Sequence, residues 1–418
     1  MGDWNPRAWL LPYGGSHLAK GGMALRLLMA ILVIPLAACD SSLLFQHQSA
    51  SSFVRDARYE AWPKGNMIHF RQPANAIFAA PGGADYVAVM EGRGWQERRG
   101  YRVTVYRSAN LVKEDIVEDG REHTSISDIK SGASISFSGS EGARRGFFVW
   151  GAVTASPVEV RWTGRTDQVL GERCSVWSFF RDPVTQEKCL TSDGVTLWQK
   201  QIGFRGSGIS ESRIVSLTRR KVRPDEIAVP RDLLNWSTWL DADDGKRGSL
   251  PNDLVVLEGT EWNGQAVQQT IRRLGRIEAV SDASGERVRQ RVMWTNATVS
   301  FEQDAKGNFK TLSVHKAKAG LPPSMWSAHR PLIGHDALLG RRCGWRVTID
   351  ASEGDMRECR TPDGLLLKSS DRYISSVGHL AAKSITVGRI SESDMVPPGE
   401  WLDVATWTKI ADNENVHR

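Results

Sequence analysis

The sequence predicts a mainly β protein: two tandem duplicated modules, each an antiparallel sheet with a few short helices. Three observations predict it. The chain repeats itself, its strands alternate apolar and polar residues, and Asp-Gly pairs punctuate them. Around one cysteine pair the sequence reads Asp167-Gln168-Val169-Leu170-Gly171-Glu172-Arg173-Cys174 and, further on, Cys189-Leu190-Thr191-Ser192-Asp193-Gly194-Val195-Thr196-Leu197. Around the other it reads Asp336-Ala337-Leu338-Leu339-Gly340-Arg341-Arg342-Cys343 and Cys359-Arg360-Thr361-Pro362-Asp363-Gly364-Leu365-Leu366-Leu367. Self-similarity at one fixed spacing marks a module used twice.

Further matches widen the unit. Glu91-Gly92 and Trp95 correspond to Glu258-Gly259 and Trp262, and Pro230, Leu234 and Thr238-Trp239 to Pro398, Leu402 and Thr406-Trp407. An offset of 167 to 170 residues puts module one at 60–240 and module two at 250–407. The polar, glycine-containing stretch from Asp241 to Ser249 reads as the surface connection between them. Within each module the period is two, as in Tyr101 to Arg107, Val158 to Trp162 and, less strictly, Arg289 to Trp294. Such alternation sets one row of side chains on a core and the other in water. Asp119-Gly120, Asp193-Gly194, Asp304 to Gly307 and Asp363-Gly364 supply the positive φ that tight hairpins need. Short helices are expected only near Pro230 to Trp239 and Pro398 to Trp407.

Ahead of the modules, Met23-Ala24-Leu25-Arg26 leads into an apolar run from Leu27 to Ala38 and then Cys39. A basic start, a short apolar segment and small residues before the cut are the parts of a secretory signal. The run is shorter than the roughly 20 apolar residues a membrane span requires. Leu36-Ala37-Ala38-Cys39 resembles the lipobox of bacterial lipoproteins. That resemblance implies cleavage after Ala38, acylation of Cys39, and a periplasm-facing body fastened to a membrane, inner or outer, by its own lipid. The leader is therefore read as 23–38, with 1–22 as an upstream mis-start, and 39–59 as a tether. An ordinary signal cut nearby, with Cys39 left as a free thiol, is the alternative.

Loss of residues 1–38 removes three bases and one acid, so the formal charge falls from +6 to +4. A balance that mild, without a basic run carrying aromatics, gives no reason to expect a nucleic-acid partner. Of five cysteines, the lipobox takes Cys39 and leaves Cys174, Cys189, Cys343 and Cys359. Four cysteines allow three pairings; the repeat selects Cys174 with Cys189 and Cys343 with Cys359. A zinc site is the rival, but no histidine lies inside either pair and His329 and His335 have no counterpart in the first module, so no metal is expected.

The recurring tryptophans, Trp95 with Trp262 and Trp239 with Trp407, suit a repeated core better than a platform for sugar or lipid. No nucleophile elbow, zinc-protease helix, phosphate loop or dinucleotide fingerprint is present, so neither a catalytic residue nor a cofactor is assigned. Ser313-Val314-His315-Lys316 fits the bare Ser-x-x-Lys pattern without its partner motifs. Glu114-Asp115 and Asp243-Asp244 are read as solvated acids.

Gly171, Cys174, Cys189, Thr191, Asp193, Gly194, Leu197 and Pro230, repeated at Gly340, Cys343, Cys359, Thr361, Asp363, Gly364, Leu367 and Pro398, resemble the envelope proteins related to the lipoprotein carriers LolA and LppX. The resemblance covers about half of each module. It implies strongly curved sheets with a few helices over the concave face and an apolar pocket for acyl chains. It assigns no pocket residue, because the family's pocket has no motif. The leading expectation is a non-enzymatic envelope lipoprotein binding a hydrophobic ligand or an acylated partner. A scaffold or assembly factor acting through protein contacts, and a hydrolase with a dispersed site, are the alternatives.

Overall fold

A computed structural model describes residues 67–70 and 85–409, apart from 94–99, 153–157, 182–183, 203–208, 242–251, 317–331, 352–353, 374–375 and the single residues 262, 276, 286, 295 and 389. Trp95, Trp262, Asp243-Asp244 and Cys39 with its leader lie outside these residues. No helix among them is long and apolar enough to cross a membrane.

The polypeptide forms one antiparallel sheet of 23 strands with a few short helices. After β1 (Met67–Phe70) comes a meander of six: β2 (Tyr86–Arg93), β3 (Gly100–Ser108), β4 (Leu111–Glu118), β5 (Arg121–Asp128), β6 (Ser134–Ser138) and β7 (Gly146–Trp150). Five more follow, β8 (Val158–Val169), β9 (Glu172–Arg181), β10 (Val184–Leu190), β11 (Thr196–Ile202) and β12 (Ile209–Arg219), and β12 returns to pair with β2. The pattern then recurs. A meander of β13 (Asp253–Thr260), β14 (Ala266–Leu274), β15 (Ile277–Ser284), β16 (Arg287–Met293), β17 (Ala297–Asp304) and β18 (Phe309–Lys316) is followed by five further strands. These are β19 (Leu332–Leu338), β20 (Arg341–Ala351), β21 (Gly354–Arg360), β22 (Leu366–Tyr373) and β23 (Ser376–Val387), and β23 pairs back on β13. Only β1, which pairs with β8, has no described counterpart.

The two elevens join edge to edge through β7 and β18. Phe137 pairs with Phe147 and Phe301 with Leu312, so Phe147 and Leu312 hold matching places. Across the seam Phe147 sits beside Val314, Val149 beside Leu312, and Phe148 faces Ser313 at the centre. Two matching strands paired in this way are related by a local two-fold axis normal to the sheet. The repeat spacing is shorter at the seam than around the cysteines.

Each eleven curls. In a flat sheet β4 and β10 would stand five strand spacings apart, about 24 Å, yet the charges of Glu114 on β4 and Lys188 on β10 act on each other. The first curl buries Met90, Val103, Val105, Val176, Leu197 and Ile214. The second buries Leu257, Ile271, Leu367 and Ala382 at the places of Met90, Val105, Leu197 and Ile214. Asp119 and Gly120 both take positive φ, as an Asp-Gly hairpin turn requires.

The third core is shared. It lies on the other face of β5–β7 and β15–β18, under the segments that follow each eleven. In the first, α1 (Pro224–Ile227) and a 3-10 turn over Arg231–Leu234 lead to α2 (Trp236–Trp239). In the second, a 3-10 turn over Gly399–Leu402 leads to α3 (Val404–Thr408). The caps match: the Asn235 side chain accepts from the Ser237 amide and the Asp403 side chain from the Ala405 amide.

Trp239 and Trp407 are the anchors, 1% and 3% exposed. Their indole N–H groups donate to the carbonyls of Leu233 and Trp401, each six residues earlier. Trp401 stacks on Phe301 with ring centroids 4.1 Å apart, and Trp239 packs on Phe147 at 5.3 Å. Three hydrogen bonds cross between the elevens here: Asn296 Nδ2 to the Trp239 carbonyl, Trp236 Nε1 to the Pro398 carbonyl, and the Ala152 amide to the Trp407 carbonyl. Truncating Phe147 to Ala should therefore cost about 3–5 kcal/mol. Urea unfolding reads the loss as a lower midpoint at unchanged slope.

Candidate functional site

The cysteines build straps. Cys174 is bonded to Cys189 and Cys343 to Cys359, with Cα atoms 5.4 and 5.2 Å apart. Asp167 and Trp198 are the register partners of Cys174 and Cys189, and Trp198 Nε1 donates to the Asp167 carboxylate at 2.8 Å. In the second half Asp336 and Lys368 hold the matching places, and Lys368 Nζ reaches the Asp336 carboxylate at 2.6 Å. Each strap thus ties four neighbouring strands, β8–β11 or β19–β22, by one covalent and one polar link.

The Thr-x-Asp-Gly motif is also structural. The Thr191 hydroxyl accepts from the Val195 amide and the Thr361 hydroxyl from the Leu365 amide, both at 2.9 Å. The aspartates then hold different partners. Asp193 binds Arg219, which also binds Glu172; Asp363 binds Arg273, which is buried against Asp253 at 2.6 Å. Among the described residues no group of three or more His, Cys, Asp or Glu is arranged to hold a metal ion.

Each curl buries an apolar cluster of its own, and a second, more open surface lies between them. It is the open face of the central strands, opposite the tryptophan core. Register partners in an antiparallel pair point to the same face. One row on that face runs Ser127, Ser134, Trp150, Thr311, Glu302 and Arg289; the next runs Ser125, Ser136, Phe148, Ser313, Ser300 and Arg291. A hydroxyl-lined sheet thus carries two aromatic rings at the two-fold centre. Phe148 and Trp150 lie with centroids 4.6 Å apart, and Trp150 is 53% exposed.

Two histidines flank this patch. His123 Nδ1 lies 3.1 Å from the Ser138 hydroxyl, and the His315 ring lies over Gly146, where a Cβ would meet Nδ1 at 2.8 Å. Burial lowers the pKa of both imidazoles. Glu114 is exposed and Asp115 half-buried, and both have polar neighbours besides solvent. Asp115 accepts from the Thr124 hydroxyl at 2.7 Å. Glu114 keeps contact with solvent, but crowding by the curled sheet raises its carboxyl pKa, against the pull of Lys188. Ser313 and His315 lie on the open face and Val314 in the core, so Ser-x-x-Lys here is a strand passing the seam.

No family model and no curated protein matches this sequence. Among solved structures the chain is similar to the MucA/MucB complex of Pseudomonas aeruginosa, at 11% identity over 59% of this chain and 93% of that one, with a TM-score of 0.25. It is similar to PNGF-II at 10% identity over 57% and 65%, TM-score 0.23. A LolA superfamily protein from Nitrosomonas europaea matches at 10% identity over 37% and 94%, TM-score 0.17.

Phe148, Trp150 and the serine rows escaped the sequence reading. The signal available was serine at every second place in Ser125-Ile126-Ser127 and Ser134-Ile135-Ser136, with Phe147 to Trp150 apolar on both faces of one strand.

The histidines make stability depend on pH. Each binds its proton less readily in the fold than in the unfolded chain, where histidine titrates near pH 6.5, so stability falls as the pH drops through that value. The carboxyls raised by burial, Glu114 and Asp282, act in the opposite sense. Comparison with a variant that keeps both carboxyls isolates the histidines' share. Urea midpoints at about pH 7.5 and about pH 5.5 should show the loss, and His123→Gln with His315→Gln should shrink it.

Proposed function

We propose that this chain is a non-enzymatic binding lipoprotein of the bacterial cell envelope, tethered through Cys39 and built by tandem duplication over 60–240 and 250–407. It presents the open face of its central sheet to an apolar group, either a hydrophobic ligand or the acyl part of a partner. The observation that carries this reading is the exposed Trp150, packed on half-buried Phe148 near the two-fold centre of a largely hydroxyl-lined face. A large aromatic left in water has no folding role, and such side chains dominate binding surfaces.

The compartment is supported by the two disulfides, which persist where the surroundings are oxidising. The lipobox-like Leu36 to Cys39 supports the tether. A second reading, an assembly factor, is favoured by β19. It is an edge among the described residues and exposes Leu332 and Ile333, and apolar edges recruit strands of other chains.

Native mass spectrometry of the oxidised chain in a lipid mixture tests the first reading. Wild type should carry an apolar adduct, and Trp150→Ala should weaken it about tenfold, the worth of a buried aromatic contact. The unfolding midpoint should stay unchanged, because Trp150 packs on no core. A clean wild-type mass would overturn the reading.

A further inference from the structure

Both cysteine hairpins turn through a leucine. Between β8 and β9 the loop is Leu170-Gly171 with φ of 53° and 80°; between β19 and β20 it is Leu339-Gly340 with φ of 51° and 74°. Two positive φ values in a two-residue loop make a type I′ turn, whose first place favours Asn, Asp or Gly. Leucine there is strained, since its Cβ crowds the following carbonyl. Packing does not offset the strain: Leu170 is 56% exposed and Leu339 49%. The Asp119-Gly120 turn shows that this chain uses the relaxed solution elsewhere.

The charges beside the two tips are biased. Glu172 is held by Arg219, Asp336 by Lys368, and Asp167 accepts from Trp198. Arg173 and Arg342, three residues past each leucine, are exposed, and Arg341 is half-buried. Among the described residues none of these three arginines is in an ion pair. Each tip therefore presents one apolar side chain, with Arg173 in the strand that follows the first and Arg341 and Arg342 in the strand that follows the second.

We propose that the two leucine tips are membrane-contact points: each leucine enters an anionic phospholipid surface, and Arg173, Arg341 and Arg342 meet the phosphates. Leucine prefers the acyl boundary, and each arginine near a negative leaflet adds attraction. A bilayer surface accepts both tips although their flanking side chains differ, because it asks only for an apolar side chain backed by positive charge. A pocket in a protein partner would have to be built twice. The setting rests on the envelope reading, but not on acylation of Cys39.

The test uses the full chain carrying Cys39→Ser, oxidised, with vesicles of phosphatidylcholine alone or with about one third phosphatidylglycerol. The protein should float with the anionic vesicles at low salt and be released as salt rises. Leu170→Asn and Leu339→Asn should each lower the bound fraction about tenfold, the worth of one buried leucine. Asparagine fits the turn, so Tm should hold or rise, and lost binding is then not lost folding. Arg342→Gln should lower binding about fivefold. Absence of flotation with anionic vesicles, or flotation undiminished in the double Asn variant, would overturn the proposal. Failure of the lipoprotein reading shows separately, as missing acyl label on Cys39 in the wild type.

Discussion

The backbone ladder between β7 and β18 is the constraint on which the rest depends. It joins two similar sheets edge to edge and thereby removes the exposed edge that each would otherwise offer. It also decides sidedness. With Phe147, Val149, Leu312 and Val314 fixed toward one face, Phe148, Trp150, Ser313 and His315 are fixed toward the other. A slip of one residue would exchange these sets, driving serine and histidine under the tryptophans. The shared core makes that slip expensive, because Trp239, Trp401 and Trp407 meet both strands' neighbours on one face.

Similar halves carry different chemistry at matching places. Tyr86 stands opposite Arg107 where Asp253 stands opposite Arg273. Tyr86 is pushed up to about 12, chiefly by burial, so it stays neutral, whereas the second half closes the same gap with a buried ion pair. Trp198 and Lys368 likewise reach the same aspartate position with a neutral and a charged donor. The donors and acceptors differ, but the strand positions that bring them together are the same. Backbone pairing fixes the geometry, and the side chains vary upon it.

Local signals were legible in the sequence. The Asp-Gly turns, the period-two strands, the cysteine pairs and the tryptophans of α2 and α3 each carry their information within a few residues, and the mainly β architecture followed from them. The seam was not legible. Phe147 to Trp150 is a continuous apolar run without alternation, and nothing in it names a partner far along the chain. The open face was missed for the same reason, since which side of β5–β7 is covered depends on where segments from both halves come to rest. Leu170-Gly171 was visible as a repeated signature. Its strain was not, because leucine in a left-handed turn contradicts the turn chemistry a reader looks for.

The central claim is that the two elevens are one cooperative body joined through the seam. Equilibrium urea unfolding of the oxidised chain, followed by tryptophan fluorescence and by far-ultraviolet circular dichroism, tests it most directly. The shared tryptophan core predicts one transition, coincident in both probes. Two separated transitions, one for each half, would contradict it.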